Sequence, residues 1–186
     1  MKNKIELGAY PMLYPLPLVV VGTENNGIEN FAPFGNCGLL IVDPATIYIS
    51  IEETTCTAQN IKKNGYYSIN IPSDNSLAVY DYCGTVSGNQ TDKSSLLESF
   101  YRKNSNVPMI TDCPVNMLCK VVSEKMIENN RMFIAEIVTS YVDEECTTNR
   151  YADTALINPV FYTIDNQYWN IGKHLGSAFS LVDSIK

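Results

Sequence analysis

Two short stretches place hydroxyls, glycines and a lysine where they can meet an anion. EETTCTAQNI (52–61) presents Thr54, Thr55 and Thr57 between a strand-like run and a helical one. Hydroxyls and unpaired amides at a helix start suit a phosphate. The same threonines also serve as an ordinary cap, with Thr57 the expected cap of TAQNIKKNG and Gly65 its stop. DYCGTVSGNQTDKSSLLESF (81–100) supplies Gly84 and Gly88, where backbone can approach a ligand closely, and Lys93, a point charge for a phosphate. Ser95 and Glu98 have the S-x-x-E spacing of a capping box, which predicts a helix from about Ser95. Neither stretch contains GxxxxGK[ST] or GxGxxG, so no standard nucleotide cradle is written here. The two loops make a site only if the fold joins them.

Other chemistries find little support. A Ser or Cys nucleophile needs a base, and His174 in GKHLG is the single histidine, read as an exposed loop residue. The six cysteines, at 37, 56, 83, 113, 119 and 146, form no CxxC pair, so a zinc site is not expected. They are read as reduced thiols, with Cys37 and Cys83 as small buried hydrophobes. Glu52–Glu53 and Glu144–Glu145 are neighbours on opposite faces of expected strands, hence solvated and poor acid–base partners. No catalytic side chain is assigned.

The elements that must position these loops are mostly strands. The chain has 186 residues, 45% hydrophobic and 18% charged, which fits one globular domain over 1–186. In TIYISIEE, Ile47, Ile49 and Ile51 share one face; in YYSINIP, Tyr67, Ile69 and Ile71 do the same. LPLVVVGTE turns at ENNGIEN into a second strand, VNMLCKVVSEKMI and MFIAEIVTSYVDEE flank the turn at ENNR, and VFYTI pairs with QYWNI. Helices are few: one after Thr57, one in SLAVYDY and one in LLESFY. This pattern predicts a mainly β fold, a single barrel with short helical insertions. A net charge of −7 argues against nucleic acid and anionic membranes as partners. Pro11, Pro15 and Pro17 interrupt the apolar start, so neither a signal peptide nor a spanning helix is expected and the cytoplasm is the expected location.

The order of segments GAYPMLYPLPLVVVG, NFAPFGNCG, ISIEETTCTAQNI, YYSINIPS, YDYCGTVSGNQTDKS and CPVNMLCKV resembles the flavin reductase-like, FMN-binding split-barrel family, its flavoredoxin branch in particular. The resemblance runs from about residue 8 through FIAEIV, with a looser echo in NPVFYTIDNQYWNIGKHLG, and DYCGxVSGxxxDKS is its most specific element. It implies a homodimeric split β-barrel holding FMN non-covalently near the subunit interface. Position by position, Asn30 matches a flavin-contacting asparagine, while Ser50, Ile51 and Glu52 match the strand end along the isoalloxazine ring. Thr55 and Thr57 match hydroxyl positions near the phosphate, and Lys93 the lysine of the DKS motif. Two positions depart from the pattern: Asn36 stands where flavoredoxins have tryptophan, and Asn130 where the family often has histidine. Loss of one aromatic stacking partner costs about 1 kcal/mol, roughly fivefold in affinity. Three functions follow from the resemblance: a flavin-dependent oxidoreductase with NAD(P)H as donor, an electron carrier docking to a redox partner protein, and a dimeric module that has lost tight FMN binding.

Overall fold

The computed structural model describes residues 3–179. The chain enters through β1 (Leu16–Pro17), β2 (Val19–Asn25), β3 (Ile28–Phe34), β4 (Cys37–Ile41) and β5 (Thr46–Glu52). Helix α1 (Cys56–Asn64) leads into β6 (Tyr66–Ile71), and a short 3-10 turn leads into α2 (Leu77–Thr85). A small pair, β7 (Ser99–Tyr101) and β8 (Pro108–Ile110), precedes the long hairpin of β9 (Val115–Ile127) and β10 (Asn130–Val142). The remainder comprises β11 (Thr147–Thr148), β12 (Tyr151–Ala152), α3 (Thr154–Ile157), β13 (Val160–Thr163) and β14 (Gln167–Asn170). Among the described residues no helix is long and apolar enough to cross a membrane.

Seven strands form one antiparallel sheet in the order β3-β2-β6-β9-β10-β5-β4. Val19 and Val21 of β2, Cys37 of β4, Ile49 and Ile51 of β5, Tyr67 and Ile69 of β6, and Phe133 of β10 all belong to one buried cluster. Strands from both ends of the sheet meet in that cluster, so the sheet curls around it, and Ala58 and Ile61 of α1 help close it. Register shifts between Ile134 and Ala135 and between Ile137 and Thr139 interrupt the long hairpin, as bulges do where a strand must bend. This is the mainly β barrel expected from the alternating pattern, and the split form of it that the family resemblance implies.

β6 departs from a half-exposed strand, because both of its faces are buried. Ser68 and Asn70, opposite the apolar face, are fully buried beneath β8. The Asn70 side chain donates to the Val20 carbonyl at 2.8 Å and accepts the Ile110 amide at 3.0 Å and the Asn116 side chain at 2.9 Å. A polar residue survives there because every hydrogen-bonding group has a partner.

Three local expectations need correction. No helix starts at Ser95: Asp92 Oδ1 accepts the Ser94 amide at 2.9 Å, and the chain then extends as β7, paired with β8. The aromatic pair Phe100–Tyr101 suits a strand, and the long-range partner outweighs the local capping signal. Thr55 rather than Thr57 caps α1, its hydroxyl accepting the Ala58 amide at 3.2 Å, while Thr57 is buried inside the first turn. Gly65 does end the helix, in the left-handed region at φ 69°. Finally, Glu144 and Glu145 lie in a 3-10 turn beyond β10, and Glu53 lies in the turn after β5, ion-paired while still partly exposed. The α2 and hairpin expectations agree with the structure, all six cysteines are free thiols, and His174 is an exposed residue outside regular structure.

Candidate functional site

The two hydroxyl- and glycine-bearing stretches do converge. A groove of about 320 Å³ runs between the start of α1 and the chain leaving α2. Thr55, Cys56 and Thr57 form one bank, Cys83 through Gly88 with Lys93 the other, and Asn30, Ala32, Pro33 and Phe34 of β3 line it between them. Cys56 and Thr57 sit in the first turn of α1, where amides have no intrahelical carbonyl to bond.

Beneath the groove lies a buried polar cluster drawn from three elements. Asn30 Nδ2 donates to Thr57 Oγ1 at 2.9 Å and to Thr23 Oγ1 at 3.4 Å, and Asn60 Nδ2 donates to Thr23 Oγ1 at 3.2 Å. Asn30 is only 4% exposed, yet its carbonyl Oδ1 is buried without a hydrogen-bond partner. A buried orphan acceptor costs about 1–3 kcal/mol, which a donor that reached it would recover. Gly88 packs directly over this amide, closing the loop onto the site.

Lys93 is 2% exposed and serves the opposite bank. Its Nζ donates to the Cys83 carbonyl at 2.9 Å and the Val86 carbonyl at 3.2 Å, at the C-terminal end of α2. A cation there offsets the negative end of the helix dipole. Burial lowers its pKa, opposed by the thiols of Cys83 and Cys56. Two of three N–H bonds are engaged, and Lys93 still lines the groove. The Cys56 thiol, raised by burial and holding a 3.6 Å contact from Asn60 Nδ2, is not an activated nucleophile.

The remaining candidate residues sit away from this groove, on the β4–β5–β10 side. The Ser50 amide donates to the Asn36 carbonyl at 2.8 Å, and Glu52 stands opposite Asn130 in the β5–β10 register. Asn36, Glu52 and Asn130 are exposed. Ile51 points into the core, 1% exposed, so it presents only backbone to a ligand.

Arg131 is a contributor that no local spacing announces. Its guanidinium grips Glu53 through Nε and Nη2, the latter at 2.9 Å, and reaches Glu124 at 2.8 Å through Nη1. Lys62 adds a 3.2 Å contact to Glu53, whose amide also donates to the Asn129 carbonyl at 3.0 Å. These bonds tie the turn before α1 to the tip of the β9–β10 hairpin. The Arg131 bond holds the Glu53 carboxyl at a pKa of about 2.

The curled seven-stranded sheet, closed by one short helix and carrying a groove at its rim, defines a split β-barrel. The flavin reductase like domain matches residues 12–163, and the chain belongs to that family. The fold is similar to the flavoredoxin of Methanosarcina acetivorans, with a TM-score of 0.94 and 30% identity over 100% of both chains. It is similar also to the flavoredoxin of Desulfovibrio vulgaris (Miyazaki F), at TM-score 0.88 and 30% identity, covering 96% of this chain and 98% of that one. An FMN-binding protein from Thermus thermophilus shares the fold at TM-score 0.78 and 18% identity, covering 95% and 99%.

Proposed function

We propose that the protein is an FMN-binding oxidoreductase of the flavin reductase or flavoredoxin type. It would act as a homodimer and take electrons from NAD(P)H or a redox partner protein. The observation that carries this reading is the groove in which the first turn of α1, the Gly88 loop and Lys93 meet over the unpaired Asn30 carbonyl. Thr55, Thr57, the first-turn amides and Lys93 would hold the phosphate end. Asn30 would accept a hydrogen bond from the flavin, with Asn36, Ser50, Ile51, Glu52 and Asn130 toward the ring. FMN, when bound, supplies hydride acceptance and one-electron exchange, which none of the side chains in the groove provides. The protein's part is positional. The buried Thr23–Asn30–Thr57–Asn60 cluster fixes the floor, and the Glu53–Arg131 pair fixes the turn that begins α1.

Leu39, Leu40, Ile41 and Val42 are exposed in and just after β4, an edge strand of the sheet. A second copy covering that edge would remove both apolar surface and unpaired strand from water, which supports the dimer.

The test is the absorbance spectrum of purified protein, before and after incubation with FMN and desalting. About one flavin retained per chain is expected, with NAD(P)H oxidation then separating enzyme from carrier. Protein that stays colourless and binds no FMN in a direct titration overturns the proposal.

A further inference from the structure

Beyond the wall formed by Pro33, Phe34, Gly84 and Thr85 lies a separate cavity of about 390 Å³. That volume falls in the range of about 300–1,000 Å³ usual for small-ligand sites. Its far side is built by the β13–β14 hairpin laid over α2, bringing Tyr162, Asn166 and Tyr168 opposite Asp81. The rings of Tyr162 and Tyr168 lie 5.8 Å apart, tilted at 53°. Gly35 packs beside Tyr162: a Cβ there would stand 3.4 Å from its ring, an ordinary contact.

The charge of the cavity is one-sided. The Tyr168 hydroxyl donates to Asp81 Oδ1 at 2.8 Å, the Tyr162 hydroxyl donates to Asn166 Oδ1, and the Thr85 hydroxyl donates to the Tyr82 carbonyl at 2.9 Å. All three hydroxyl protons are therefore committed to the protein. What remains is the acceptor capacity of the phenol oxygens and of the Asp81 carboxylate, the one charged group in the lining, beside the Asn166 Nδ2 amide as side-chain donor. No lysine, arginine or histidine among the described residues lines it. Burial and the Asp81 bond push the Tyr168 hydroxyl up to about 12, so it stays protonated and adds no further charge.

We propose that this cavity is a second ligand site, selecting a planar ring that is cationic or carries an N–H donor, with Asp81 as the selecting group and Phe34, Tyr162 and Tyr168 as the ring contacts. Aromatic faces attract cations, and a carboxylate at the wall repels phosphate and carboxylate ligands. The inference stands on the cavity's own lining and holds whether or not flavin binds next door.

A ring-matched series of benzamidine, benzamide and benzoate tests it by calorimetry on the purified full chain, with and without added FMN. Benzamidine is expected to bind about tenfold more tightly than benzoate, with benzamide between them. Asp81→Asn retains an acceptor for the Tyr168 hydroxyl and should collapse that ranking. Tyr162→Ala should weaken all three while keeping it. The proposal fails if benzoate binds as well as benzamidine, if Asp81→Asn leaves the ranking intact, or if no member binds saturably at millimolar concentration. Since flavin-free protein suffices, a negative FMN titration leaves this outcome independent.

Discussion

Gly88 is seated so closely on the side-chain amide of Asn30 that a Cβ there would lie 2.1 Å from Asn30 Oδ1 and 3.1 Å from the Cys56 Cβ. The loop that follows α2 is thus held against β3 and the first turn of α1 by the absence of one methyl group. Overpacking of this kind costs about 1–3 kcal/mol, and an exposed loop relieves it by moving. Gly88→Ala should therefore displace the loop and raise the FMN dissociation constant roughly tenfold, with little change in the unfolding midpoint. A fluorescence-quenching titration measures this; unchanged affinity would remove the loop from the site.

Lys93 has a structural duty and a proposed ligand duty, and they can be separated. Lys93→Ala deprives the Cys83 and Val86 carbonyls of their charged donor, a loss of about 2–3 kcal/mol in denaturant unfolding. If Lys93 also meets the phosphate, the variant should lose more affinity for FMN than for riboflavin, which lacks it. Equal losses for the two ligands would confine Lys93 to its structural role.

The Glu53–Arg131 pair gives the stability a pH signature. The folded-state pKa of Glu53, about 2, lies below the ordinary 4.5, so the unfolded chain binds the extra proton between those values. The pair's contribution is fully present above the ordinary value and is lost as pH falls toward 2. Thermal midpoints of the native protein and Glu53→Gln should differ most near neutral pH and converge at the acid end. Added salt should narrow the gap, because both partners are partly exposed. A constant gap from neutral pH down to pH 2 would contradict the assignment.

Tyr67 lies wholly inside the barrel, yet its hydroxyl has no hydrogen-bond partner. Burial holds that hydroxyl well above its usual pKa, so it remains neutral. Tyr67→Phe removes an unsatisfied group while preserving the ring's packing. The variant should be as stable as the native protein, or more stable by about 1 kcal/mol, in urea denaturation. Clear destabilisation would reveal a partner for the hydroxyl.

Most of the barrel was legible along the chain, because a strand writes its buried face into its own alternation. Ile47, Ile49 and Ile51 announce β5, and the turn at ENNR announces the β9–β10 hairpin that the structure contains. Gly65 was readable for the same reason: a left-handed cap is a local demand on one residue. The site was only half legible. Thr55, Thr57, Gly88 and Lys93 stood out by type, but nothing in their spacing showed that their loops meet over Asn30.

What the sequence by itself determined is the strands β2, β3, β5, β6, β9, β10, β13 and β14, the position of α1 and α2, and the family to which the order of motifs points. Only the tertiary structure decided that Ser95 follows an Asx turn rather than starting a helix, since the partner of β7 lies in β8, across a loop. It alone buried Lys93 against α2, and it alone paired Glu53 with Arg131, 78 residues away. Local periodicity reports which face of an element must leave water; which elements then touch depends on sheet pairing over long separations, and those contacts assemble the groove.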